Sequence, residues 1–116
     1  MTLTIEDDER DKLYPVLFGR QVGMTLVTKT LADLNECHWL MTLIAAHARD
    51  IPGPYLFWTL VVDEATGGYV TCVADEGEPL LFEEKGIITL TPPGEYRVWY
   101  MRTPGEPDIM MLPEEY

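Results

Sequence analysis

The chain has 116 residues, 8 Lys and Arg against 20 Asp and Glu, a formal net charge of -12 and 47% hydrophobic residues, with a sequence pI near 4.3. That length fits one domain spanning 1–116, and the apolar content excludes a disordered chain. The carboxylate excess argues against direct nucleic-acid binding, which needs clustered Lys and Arg, and against an anionic membrane surface.

The opening Met1-Thr2-Leu3-Thr4-Ile5-Glu6-Asp7-Asp8 is acidic and lacks the basic start and apolar run of a secretory signal, so a cytoplasmic location is expected. Residues 6–13 read as a short exposed helix or a flexible arm, stopped by Tyr14-Pro15 because the residue before proline avoids the α region. Between Gly19 and Gly23 the pattern is open, and 22–28 reads either as a strand or as the start of a helix. Thr30 with Asp33 three residues on resembles a capping box and predicts a long helix over 31–49. One face would carry Leu34, Cys37, His38, Met41, Ile44, Ala45 and Ala48, and a second Trp39, Leu40 and Leu43. A helix apolar on two sides is buried on two sides. Ile51-Pro52-Gly53-Pro54 ends it. The most apolar run, 39–46, is far shorter than the roughly 20 residues that cross a bilayer.

Beyond Pro54 the period becomes two. Strands are expected at Tyr55–Asp63 and Tyr69–Ala74, joined by the Ala65-Thr66-Gly67-Gly68 turn. After the acidic turn 75–79, a short edge strand is expected at Leu80–Phe82 and another strand at Gly86–Thr91. Pro92-Pro93-Gly94 is a turn. The strand Glu95–Arg102 sends Tyr96, Val98 and Tyr100 one way and Arg97, Trp99 and Met101 the other. Ile109–Leu112 adds a last edge strand. The fold class read from this order is α+β, with one long buried helix on a mainly antiparallel sheet: 1–54 is the helical part and 55–116 the β part with an extended tail. The alternative is an immunoglobulin-like sandwich over 55–116 with a helical extension, because GIITLTPPGEYRVWYM has the form of a tyrosine corner.

Few residues point to chemistry. His38 and His47 lie nine apart on one predicted helix, about 13 Å at 1.5 Å per residue, too far for one metal ion. Cys37, His47 and Cys72 lack zinc-site spacing, and the two cysteines read as buried thiols of a reducing compartment. Nucleophile-elbow, Walker and dinucleotide motifs do not occur. The expectation is a protein with no catalytic residues, no metal and no cofactor.

Two features point to a partner instead. If Tyr96 and Tyr100 face inward, Arg97, Trp99 and Met101 present an aromatic anchor beside a guanidinium on the outside. The acids are also uneven: 1–50 hold 8 acids and 5 bases, net -3, while 51–116 hold 12 acids and 3 bases, net -9. Asp75, Glu76, Glu78, Glu83 and Glu84 lie in that second half. Together with Arg97, Trp99 and Met101 they form the expected partner-binding set, suited to a basic protein or to self-association. The same acidity also keeps a chain soluble.

The segment Glu95–Tyr116, with its YRVWYMRTP strand and Leu112-Pro113-Glu114-Glu115-Tyr116 ending, resembles part of the small connector and adaptor proteins of tailed-phage virions. The resemblance covers about a fifth of the chain. It implies a virion-associated assembly part. The functional expectation is therefore a non-catalytic interaction or assembly module. The alternative is a small acidic inhibitor that imitates phosphates in a basic groove.

Overall fold

A computed structural model describes residues 14–16, 19–75, 77–105 and 108–115. Within them the order is β1 (Tyr14–Val16), β2 (Gly19–Met24), α1 (Leu26–Leu34), α2 (His38–Ala48), β3 (Tyr55–Asp63), β4 (Gly67–Val73), β5 (Leu80–Ile87), β6 (Gly94–Met101), β7 (Asp108–Met111) and a 3-10 turn at Pro113–Glu115. The helix or arm expected over 6–13 lies outside the described residues.

The long helix over 31–49 does not form; two short helices take its place. The first starts earlier than expected. Thr25, not Thr30, is its N-cap, and its hydroxyl accepts from the Thr28 amide at 3.2 Å. It stops at Asn35, whose amide and side-chain nitrogen both donate to the Leu31 carbonyl at 3.1 and 2.9 Å. Glu36 then takes φ +52, a left-handed conformation that ends helices. The chain turns there and α2 sets off on a new axis. The expected faces divide accordingly. Leu40, Met41, Ile44, Ala45 and Ala48 are buried along α2, whereas Leu34 and His38 are exposed.

The sheet corrects the expected architecture in a second way. It has seven strands in the order β1-β2-β7-β6-β3-β4-β5, and it is mixed, because β2 and β7 run parallel. One sheet leaves no room for the immunoglobulin-like alternative. The tyrosine-corner contact itself is present, with the Tyr96 hydroxyl donating to the Pro92 carbonyl at 2.6 Å. The segment before residue 55 also supplies β1 and β2. Expected as an edge strand, β7 instead sits between β2 and β6. The two strands expected at 80–82 and 86–91 are one strand, β5, which ends at Ile87.

Strand register places the core. Across the sheet Met24 neighbours Met110, Met110 neighbours Tyr100, Tyr100 neighbours Leu56, and Val98 neighbours Trp58, which neighbours Cys72. All of these side chains are buried, with the α2 residues above them. Each large one contributes about 1.5–3 kcal/mol by leaving water. Arg102 fastens α2 to this layer: its guanidinium donates to the carbonyls of Ala48, of Ile51 at 2.7 Å and of Gly53 at 2.8 Å. Ala48 is the last residue of α2 and its carbonyl also accepts from the Ile51 amide at 3.1 Å, so the guanidinium ties the helix end to the loop that leads into β3.

Candidate functional site

Because side chains alternate along a strand, the residues between the core positions project to the opposite face of the sheet. Both helices pack on the core side. Cα partners on the other face form a row across four strands: Val73 on β4, Phe57 on β3, Trp99 on β6 and Met111 on β7. At about 4.8 Å between strands the row spans about 14 Å. Phe57 and Trp99 meet edge to face, with ring centroids 5.1 Å apart. A parallel row holds Tyr55, Met101 and Ile109. On the other side come Thr71, Thr59 and Arg97, with Glu83 beyond them on β5, and then Tyr69, Val61 and Glu95.

The apolar row is half-buried, and a hollow of about 370 Å³ opens between Phe57, Thr59, Val73, Asp75, Arg97 and Trp99. Charges rim it. The Arg97 Nε lies 2.8 Å from Glu95, and Tyr69 donates to Glu83 at 3.0 Å with Lys85 3.4 Å from the same carboxylate. An apolar, aromatic centre with a polar rim is the anatomy of a protein-binding surface.

Of the residues expected to bind a partner, Arg97, Trp99 and Met101 share this face, Asp75 lines its hollow, and Glu83 stands at its margin. Glu84 neighbours Val70 and so projects to the helix side. Glu78 lies in the β4–β5 turn, where its amide donates to the Asp75 carbonyl at 3.1 Å. Glu76 is outside the described residues. The acids therefore do not gather in one place. Phe57, Val73, Ile109 and Met111 were not among the expected residues. Their signal was the alternation of strand 55–63, which fixes Phe57 opposite Trp58 but does not say which of the two faces inward.

Cys37, His47 and Cys72 do not form a site. Cys37 is buried, donates from its Sγ to the Leu31 carbonyl at 3.8 Å, and burial pushes its thiol up to about 11. Cys72 is buried beneath the helices, and burial pushes it up to about 12. Both thiols are protonated at neutral pH, and it is the thiolate that is nucleophilic. His47 packs against Phe82 with the rings tilted and their centroids 4.6 Å apart. Among the described residues no three His, Cys, Asp or Glu side chains are placed to hold a metal ion. No helix among them is long and apolar enough to cross a membrane.

The model of a family of unknown function, DUF6876, matches residues 7–116, and the chain belongs to that family. A crystal structure of a protein of unknown function from Enterococcus faecalis shares the fold with a TM-score of 0.52 and 17% identity, covering 84% of this chain and 91% of that one. No curated protein matches.

Proposed function

We propose that this protein is a binding module that docks a basic protein partner through the open face of its sheet. The observation that supports this most directly is the Val73–Phe57–Trp99–Met111 row, an apolar band across four strands on the face away from both helices. Burying Trp99 and Phe57 against a partner draws on large, rigid rings, the side chains that dominate interface energy. The charge selects the partner. At -12, two copies repel one another, whereas a basic surface is attracted and associates faster at low salt. In this reading the protein acts by surface complementarity and makes or breaks no bond. Whether the assembly it joins is a virion or another particle is set by the partner.

The reading as a small acidic inhibitor rests on the net charge. The division of Glu83 and Glu84 between the two faces of β5 counts against a single phosphate-like stripe.

The test is capture from native lysate with the wild-type chain and with Trp99→Asp, read by mass spectrometry, after circular dichroism shows that both are folded. The expected result is a basic protein held by the wild type, lost with Trp99→Asp, and released as salt rises from 50 to about 500 mM, where the Debye length falls to a few Å. Equal retention by both chains, or a captured partner indifferent to salt, refutes the proposal.

A further inference from the structure

A second surface lies at the end of the sheet where Gly68 on β4 neighbours Ile87 on β5 and Val62 on β3 neighbours Gly94 on β6. There the 64–66 turn faces the 88–93 loop across a hollow of about 580 Å³. Two of its wall residues, Ile88 and Leu90, are 99% and 84% exposed, more than any other large hydrophobic side chain among the described residues. Their exposure is not that of a slack loop. Thr91, 3% exposed, donates to the Glu36 carbonyl at 2.9 Å, accepts from Trp39 Nε1 at 2.9 Å, and accepts from the Thr89 hydroxyl at 2.9 Å. The Tyr96 hydroxyl holds Pro92. The tip that carries Ile88 and Leu90 is thus braced before anything binds, which lowers the ordering cost of binding.

The hollow is charged in one sense. Asp63 and Glu64 line it, and among the described residues no Lys, Arg or His does. Asp63 uses Oδ1 to accept from the Ala65 and Thr66 amides at 2.7 and 3.2 Å, which sets its carboxylate at the mouth of the turn. Aliphatic walls beside carboxylates match a side chain with an apolar stem and a cationic head.

We propose that this hollow receives a Lys or Arg side chain of an extended segment whose neighbouring aliphatic residue packs on Ile88 and Leu90. The inference rests on the reading of a basic partner but uses a surface separate from the open face, so that the two can fail separately.

The experiment is a ¹⁵N-NMR titration of the full chain with the probe peptide acetyl-Leu-Arg-Leu-Arg-amide, with acetyl-Leu-Glu-Leu-Glu-amide as control. Shift changes are expected at Thr66, Gly67, Ile88, Thr89 and Leu90 with the basic peptide only. Glu64→Gln and Ile88→Ser, both at exposed positions, should each weaken it about fivefold or more, and Trp99→Asp should leave it unchanged. No change at those amides with millimolar basic peptide, equal change with the acidic one, or undiminished binding to both Glu64→Gln and Ile88→Ser overturns the inference. If the peptide binds as expected while captured partners ignore Trp99→Asp, the open-face reading fails and this one stands.

Discussion

Replacing Thr91 by Val keeps the side-chain shape and deletes one hydroxyl. That hydroxyl joins three parts of the molecule: it donates to the Glu36 carbonyl at the helix junction, accepts from the Trp39 indole on α2, and closes the Thr89 contact within the 88–93 loop. Thr91 is 3% exposed, so water does not readily replace it. Losing a neutral hydrogen bond costs about 1 kcal/mol, and leaving a buried donor unsatisfied costs about 1–3 kcal/mol. Glu36 is exposed and its carbonyl regains water, so the Trp39 N–H carries most of the penalty. The expected destabilisation is about 2–3 kcal/mol. With an unfolding entropy of about 2.1 cal/mol/K per residue, that lowers Tm by about 10 °C. Thr91→Ser keeps the hydroxyl and loses only a methyl group, so it should lower Tm by less than half as much. Differential scanning calorimetry on the three chains checks this, with urea unfolding as a second measure. A Tm for Thr91→Val within about 2 °C of wild type would refute the view that this hydroxyl braces the loop.

Three further outcomes are expected. A double-mutant cycle of Phe57→Ala and Trp99→Ala, followed by urea unfolding, should give a coupling of about 0.5–1.5 kcal/mol for an edge-to-face pair; zero coupling would mean that the two rings do not meet. Gly67→Ala should destabilise by about 2 kcal/mol or more, because φ is +82 and the new Cβ would lie 2.6 Å from the Ile87 carbonyl oxygen, while Gly77→Ala, at φ +84 in open space, should lose about 1 kcal/mol from backbone strain alone; equal losses in thermal melts would contradict the close approach. Stability should also fall as pH rises above about 9. Burial raises Cys37, Cys72 and Tyr100, the last also through its hydrogen bond to Asp108, so the unfolded chain releases these protons first. The native advantage is complete below the unfolded pKa values, near 9 for Cys and 10 for Tyr, and is lost on the way up to the folded ones, at up to about 1.4 kcal/mol per pH unit per group. A urea midpoint unchanged from pH 8 to 10.5 would show that the three groups are not buried as described.

Much of the strand content was legible because it depends on local alternation. Tyr55–Asp63 and Gly94–Met101 follow from the period of two in YLFWTLVVD and EYRVWYM. Once Tyr100 is inside, Trp99 and Arg97 must be outside. The helical half was less legible. Residues 31–48 have apolar spacing that suits one helix, and nothing in the Asn35-Glu36 pair compels a break, since both residues are tolerated within helices. The break is favoured only when Cys37 and Leu40 can enter a core shared with Trp58 and Val98, residues that are distant in sequence.

What the sequence determined by itself is therefore one-dimensional: an acidic chain, a helical stretch ahead of a β-rich one, and the in-or-out alternation of each strand. Tertiary structure alone decided which strands are neighbours. The parallel β2–β7 pairing carries the end of the chain into the middle of the sheet, and the alignment of Val73, Phe57, Trp99 and Met111 makes one band from four strands. The physical reason is that a strand's periodicity records which side of it is apolar, whereas its hydrogen-bonding edges look the same whichever strand they meet, so the order is settled by the burial that all the strands achieve together.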